Sequence, residues 1–236
     1  MKKPNPTVFM TGTNTDVDTE NLGFDVVFIP VIRTEKMAID ERALQGTYDW
    51  IIFTSRNAVK FMKAHLDTIH YTHVASIGSK TSGELMRIGI KPDFEAEVFS
   101  QEGFIDKFPA RKGVSILYPA SKNRRSKLED YLASRECVVK AVDLYQPVED
   151  RASLEYLITN LNQADAITFA SPSAVKAVME HPSMTAETQA LLKEKLIVSI
   201  GPVTRDALTK YQIQSISPAT YTNEAMIELL SRNFEV

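Results

Sequence analysis

A single cysteine, Cys137, in a chain of 236 residues leaves no intramolecular disulfide to form, and a reducing compartment is the default that follows. Cys137 opens the run Cys137-Val138-Val139, which reads as a buried strand carrying a small hydrophobe rather than a reactive thiol. No apolar run approaches the ~20 residues of a membrane span. The opening Met1-Lys2-Lys3-Pro4-Asn5-Pro6 has no apolar stretch after its lysines, so it does not read as a secretory signal. A cytoplasmic protein is the expectation. A surplus of basic charge is also missing: the formal net charge is −3, which argues against a general nucleic-acid binder. Neither G-x-G-x-x-G nor G-x-x-x-x-G-K-[ST] occurs, which removes the dinucleotide signature and the ordinary nucleotide-hydrolase reading. The histidines His65, His70, His73 and His181 lack H-E-x-x-H or C-x-x-C company, so a metal site is not expected. Ser55 and Ser171 lack the flanking glycines of a nucleophile elbow.

What is present is a globular composition, 44% hydrophobic and 24% charged, on a length that suits two domains. Short apolar runs alternate with longer amphipathic ones, the pattern of parallel sheets with crossover helices. Strands are predicted over 7–10, 25–28, 50–54, 73–77, 91–94, 114–118, 138–144, 166–170, 197–200 and 214–216. Helices are predicted over 56–65, 80–88, 101–107, 126–134, 154–161, 173–180, 186–195, 203–211 and 223–232.

The chain also repeats itself. Asp49-Trp50-Ile51-Ile52-Phe53-Thr54-Ser55-Arg56-Asn57-Ala58-Val59 returns as Asp165-Ala166-Ile167-Thr168-Phe169-Ala170-Ser171-Pro172-Ser173-Ala174-Val175. Ser76-Ile77-Gly78-Ser79-Lys80-Thr81 returns as Ser199-Ile200-Gly201-Pro202-Val203-Thr204, and Ser100-Gln101-Glu102-Gly103 as Thr222-Asn223-Glu224-Ala225. Upstream, Phe9-Met10-Thr11 pairs more weakly with Leu117-Tyr118-Pro119. The proline-bearing exits Ile29-Pro30-Val31 and Tyr145-Gln146-Pro147-Val148 pair likewise, and these two connectors are expected to lie together as a two-stranded hinge.

Each repeated block is an apolar strand, a turn with Ser, Thr or Gly, and then a helix. Ser55, Ser171 and Thr222 stand where an N-cap belongs, and capping alone explains any one of them. Repetition at several places favours more. Helix N-termini gathered at the carboxyl ends of parallel strands suit anionic groups, so an anion-binding cleft is expected. The cluster Lys122-Asn123-Arg124-Arg125-Ser126-Lys127 follows a strand in the same way. Positive charge in a helix's first turn costs ~0.3–1 kcal/mol per group, and a bound anion would offset it; a solvated helix start is the bland alternative. Arg56 and Lys80 are weaker candidates of the same kind.

These residues resemble those of the uroporphyrinogen-III synthase family. The resemblance rests on Ile52-Phe53-Thr54-Ser55-x-Asn57-Ala58-Val59, Thr168-Phe169-x-Ser171-Pro172-Ser173-Ala174-Val175, Ser199-Ile200-Gly201-Pro202-x-Thr204-x-x-Ala207-Leu208, Leu144-Tyr145-Gln146 and Thr222-x-Glu224-Ala225-Met226, an ordered set over nearly the whole chain. It implies two α/β domains with parallel Rossmann- or flavodoxin-like sheets, joined by a two-stranded linker, with a cleft between them. The domains would be 1–30 plus 149–236 and 35–143, the linker 31–34 and 144–148. The implied reaction turns the linear tetrapyrrole hydroxymethylbilane into uroporphyrinogen III, losing water and inverting ring D without cofactor or metal.

The family's tyrosine at the return crossing matches Tyr145, whose phenol is expected to hydrogen-bond or protonate the leaving hydroxyl; the alternative is a hinge aromatic that packs the connector. Substrate carboxylates are expected at Ser55, Asn57, Gly78, Ser100, Lys122, Arg125, Ser171, Ser173, Gly201, Thr204 and Thr222. The expected protein is a monomer with a small-molecule substrate, no nucleic-acid or membrane partner, and a passing contact with the preceding deaminase. Two departures stand out. Met10-Thr11-Gly12-Thr13-Asn14 replaces the strand, Thr-Arg, Pro start of many relatives, so the first helix is truncated or absent; and Tyr221 stands where relatives often place proline. Competing readings are a non-catalytic two-lobed binding protein for a polyanionic small molecule, and a relative that kept the fold and lost activity.

Overall fold

The structure is a computed structural model and describes residues 5–13 and 17–234. The expectations about Met1 to Pro4 and about Asn14 lie outside the described residues. The strands are β1 (Thr7–Met10), β2 (Asp25–Phe28), β3 (Ile32–Lys36), β4 (Thr47–Phe53), β5 (His70–Ser76), β6 (Phe94–Glu95), β7 (Ser115–Ser121), β8 (Val138–Glu149), β9 (Ala166–Phe169) and β10 (Leu196–Ser199). The helices are α1 (Arg56–Met62), α2 (Ser79–Arg87), α3 (Gln101–Lys107), α4 (Lys127–Ser134), α5 (Arg151–Thr159), α6 (Pro172–Met179), α7 (Ala186–Lys193), α8 (Pro202–Thr209) and α9 (Asn223–Phe234).

The chain divides into two compact units, Met1–Arg33 with Val148–Val236, and Thr34–Pro147. In the first, the sheet runs β10-β9-β1-β2, all parallel, and Ile216 adds a single parallel bridge beside Val198. In the second it runs β3-β8-β7-β4-β5-β6, with β8 through β6 parallel. Written in matching positions, β2-β1-β9-β10-Ile216 and β8-β7-β4-β5-β6 are one order. The tandem repeats have exchanged segments: the opening strands of the first copy complete the sheet of the second.

Alternation along the strands gives each sheet two apolar faces. In the first unit Phe9, Ile167, Phe169 and Ile197 join residues of α5, α6 and α8, while Val8, Met10, Ala166 and Val198 join Met226, Ile227 and Leu230 of α9. In the second, Ile51, Phe53, Leu117 and Leu144 pack with Val59, Met62 and Leu85, and Ile52, Ile116 and Tyr118 with Phe104, Leu128 and Leu132. Phe53 and Phe169, the repeated phenylalanines, are both fully buried, and each contributes about 1.5–3 kcal/mol by leaving water.

Several boundaries differ from expectation. The strand predicted over 91–94 shrinks to Phe94–Glu95, because Pro92 has no N–H to give a ladder, and 214–216 shrinks to the Ile216 bridge. The helix predicted over 56–65 ends at Met62 and continues as a 3-10 turn over Lys63–Thr68. α5 starts three residues early, because Asp150 caps it by accepting from Ser153 N–H at 3.0 Å. The connector at Tyr145 is not a separate piece but the end of the twelve-residue β8, with β3 beside it. Cys137 lies just before β8, half-buried, with its Sγ donating to Arg111 C=O at 3.3 Å; burial pushes the thiol up.

Candidate active site

In an open parallel sheet, ligands bind beyond the carboxyl ends where the winding reverses. In the second unit the chain winds from β4 out to β6 and then returns to the other side of β4 with β7, so the reversal lies between β4 and β7. Beyond Phe53, Ser55 turns the chain into α1: its extended backbone and side-chain oxygen cap the helix by accepting from Ala58 N–H at 3.0 Å. The same Oγ lies 2.8 Å from the Tyr145 hydroxyl. Serine has one proton and two lone pairs, so it caps the helix and still shares a hydrogen bond with the phenol.

Tyr145 reaches Ser55 because β8 is irregular. Ala120 pairs with Asp143 but Ser121 with Tyr145, so one extra residue is accommodated at Leu144. Plain alternation would send Leu144 and Tyr145 to opposite faces. With the bulge, Leu144 is buried in the core under α1, and Tyr145 packs against that same core with its ring 5.5 Å from Phe61 of α1. Lys122 N–H closes the bulge by donating to Tyr145 C=O at 2.8 Å.

Two of the four cations in the basic cluster after β7, Arg124 and Lys127, are already paired with carboxylates of the protein, so they do not need a bound anion to offset them. Arg124 pairs with Glu129 and Asp143, and its guanidinium sits 5.7 Å from the centre of the Tyr118 ring. Burial works against the Arg124 charge, but the two carboxylates outweigh it and raise the group above its ordinary value. Lys127 pairs with Glu102 at 2.7 Å and holds that carboxyl down at about 2. Lys122 and Arg125 are exposed, and among the described residues neither has an ion pair. Tyr118 is fully buried, which pushes its phenol up, and its hydroxyl lies 3.5 Å from Thr54 Oγ1. The sequence offers Arg124 only as one member of the basic cluster and Tyr118 only as part of a strand end; the pairing of Arg124 with Asp143, 19 residues distant, gives it a separate place.

Around the same sheet end, Gly78 is buried ahead of α2 and Ser100 caps α3 by accepting from Gly103 N–H at 3.1 Å. Asn57, in the first turn of α1, is half-buried, and Arg56 and Lys80 are exposed.

The first unit reverses its winding between β1 and β9. Ser171, beyond β9, caps α6 by accepting from Ala174 N–H at 3.2 Å, and its hydroxyl lies 2.9 Å from that of the exposed Ser173. Beyond β1, the Thr11 hydroxyl donates to Thr168 C=O at 2.7 Å, and a side chain at Gly12 would meet Ala170 at 3.2 Å. The ends of β1 and β9 are thus close at Gly12. Thr222 caps α9 by accepting from Ala225 N–H at 3.1 Å. Gly201 is buried ahead of α8. Thr204 is 2% exposed whereas its neighbour Val203 is 70% exposed, so the first turn of α8 presents an apolar side chain where a hydroxyl was expected. The helical turn rotates the two about 100° apart, and it is Thr204 that faces inward.

Each unit therefore gathers its own share of the candidates at one sheet end: Ser55, Gly78, Ser100, Lys122 and Tyr145 in one, Ser171, Gly201 and Thr222 in the other. Free helix amides, hydroxyls and a phenol are equipped to accept carboxylates and to pass a proton. Among the described residues no group of three or more His, Cys, Asp or Glu is gathered as metal ligands would be.

The family model described as uroporphyrinogen-III synthase HemD matches residues 15–228. A protein of Archaeoglobus fulgidus, provisionally named a uroporphyrinogen-III synthase, is 26% identical over 210 residues, covering 88% of each chain. The crystal structure of uroporphyrinogen-III synthetase from Helicobacter pylori superposes with a TM-score of 0.66 at 17% identity, covering 97% of this chain and 99% of that one. A mutant uroporphyrinogen III synthase from Thermus thermophilus does so with a TM-score of 0.62 at 20% identity, covering 97% of each.

Proposed function

The chain belongs to the uroporphyrinogen-III synthase family, the cyclising lyases of haem biosynthesis, and from that premise we propose that its strand-end turns hold hydroxymethylbilane by its carboxylates while Tyr145 assists the loss of water. The observation that carries this reading is the 2.8 Å hydrogen bond between the Tyr145 and Ser55 hydroxyls, held by a bulge at the reversal of winding. The departing hydroxyl leaves as water once it receives the phenolic proton. The phenolate left behind is stabilised by the Ser55 hydroxyl, which has its own proton to donate and is itself polarised by the α1 amide it caps.

The substrate carries eight carboxylates and is flexible, so much of the rate comes from holding it curled with its ends close. Ser55, Asn57, Gly78, Ser100, Ser171, Ser173, Gly201 and Thr222 lie at turns that suit this binding, and the unpaired Lys122 and Arg125 add positive charge. Thr204 enters the reading through its backbone position rather than its buried hydroxyl. The mechanism draws on no cofactor. Among the described residues no helix is long and apolar enough to cross a membrane. In this reading the protein works as a cytoplasmic monomer that receives the bilane from the preceding deaminase in a passing contact.

The test is a coupled assay in which that deaminase generates the bilane in place. Formation of the type III isomer upholds the reading. Formation of only the spontaneous type I isomer overturns it, and retained affinity for uroporphyrinogen III in that case would mark a binding protein.

A further inference from the structure

We propose that Phe99 and Tyr221 are stacking residues for the tetrapyrrole, one ring in each unit, each receiving the face of a pyrrole while the adjoining turn takes its carboxylate arms; this rests on the function proposed above. Large aromatic side chains normally leave water on folding, yet Phe99 is 62% and Tyr221 61% exposed. Neither ring is loose. Phe99 lies against Gly78, where an added Cβ would stand 2.9 Å from its Cβ, Cγ and Cδ1, and Tyr221 lies against Gly201, where an added Cβ would stand 3.0 Å from its Cδ1. Both glycines have extended backbone, with φ of 169° and −179°, that any residue adopts. The missing side chains therefore serve the rings rather than the backbone.

The arrangement occurs twice, at matching positions of the two sheets. Each ring immediately precedes a hydroxyl that caps the next helix, Ser100 and Thr222, and each has an exposed valine near the same sheet end, Val98 at 64% and Val203 at 70%. A supported flat apolar face beside a polar turn suits a ligand that is itself a flat ring carrying acidic arms. A simple dicarboxylate would use the turn and leave the ring idle. Folding stability alone does not account for one aromatic held half bare on a glycine in each copy.

The coupled bilane assay tests the assignment with Phe99→Leu, Tyr221→Leu and the double variant, which keep apolar bulk but lose the flat face. Each single change is expected to raise KM and the inhibition constant of uroporphyrinogen III about three- to tenfold while kcat moves less than twofold. The double variant should release more of the spontaneous type I isomer. The ring-restoring Phe99→Tyr and Tyr221→Phe should recover most of the lost affinity. Because both side chains are largely exposed, urea midpoints should be little changed, and a loss confined to stability or to kcat would overturn the assignment. Unchanged KM and inhibition constants in the leucine variants would overturn it alone, while absence of the type III isomer from the unaltered protein would overturn the functional reading beneath it as well.

Discussion

Tyr145 illustrates how a single side chain acquires a role from backbone irregularity. Its hydroxyl meets Ser55 only because the bulge at Leu144 turns it to the α1 side of β8. Removing the phenolic oxygen in Tyr145→Phe should lower kcat by about 100-fold, the low end of what a positioned acid supplies, with little change in inhibition by uroporphyrinogen III; steady-state kinetics in the coupled assay measure both. Ser55→Ala should lower kcat less and also cost about 1 kcal/mol of stability through the lost cap, read from urea unfolding. The caps at Ser55, Ser171 and Thr222 were legible in the sequence, and each accepts the amide three residues on; Ser100, read as the repeat match of Thr222, does the same. The bulge was not legible, because an extra residue in a ladder depends on the partner strand. Nor was the inward turn of Thr204, which the family pattern alone would offer as a binding hydroxyl.

At the level of elements, the turn from β7 into α4 is braced by charges from elsewhere. Arg124 joins Glu129 in the first turn of α4 to Asp143 on β8 and covers Tyr118. Arg124→Met should destabilise the second unit by about 1–3 kcal/mol, because two carboxylates lose their partner together; the shift in urea midpoint reports it, and Asp143→Asn in the same background should add less than it does alone. Lys127 ties α4 to α3 through Glu102. The Glu102 carboxyl, at about 2 when folded against an ordinary 4.5, binds its proton more readily in the unfolded chain. Its contribution is therefore present above about pH 4.5 and fades as pH falls toward 2. An NMR titration should place its midpoint near 2, and Lys127→Met should move it up toward 4.5. A local window shows only six residues rich in positive charge; the compensating acids at 102 and 143 come from other elements. The shortness of β6 has a local cause instead: Pro92 stands inside the predicted run, and only Phe94 and Glu95 pair with β5.

For the whole molecule, the repeat announced two copies, and the exchange of their opening strands became legible through the family resemblance and the paired proline connectors rather than through the repeat. One unit is continuous in the chain and the other is not. A fragment spanning 30–150 contains all six strands of the second sheet and both its cores, and should unfold cooperatively on heating when followed by circular dichroism. A fragment spanning 1–33 has, among its described residues, β1, β2 and the beginning of β3 as its regular elements and should stay unfolded, since a ladder this small cannot bury its apolar faces.

The ladder that joins Met10 to Thr168 also sets a schedule for biosynthesis. Translation at roughly 5–20 residues per second delivers β9 about 8–30 s after β1 has left the ribosome. Through that interval the continuous middle of the nascent chain can collapse by itself, while Val8, Phe9 and Met10 have β2 on one side and wait for β9 on the other. A growing polypeptide of this design carries an apolar strand with one open edge for most of its emergence, which makes those three residues a natural point of capture for chaperones that bind extended hydrophobic segments.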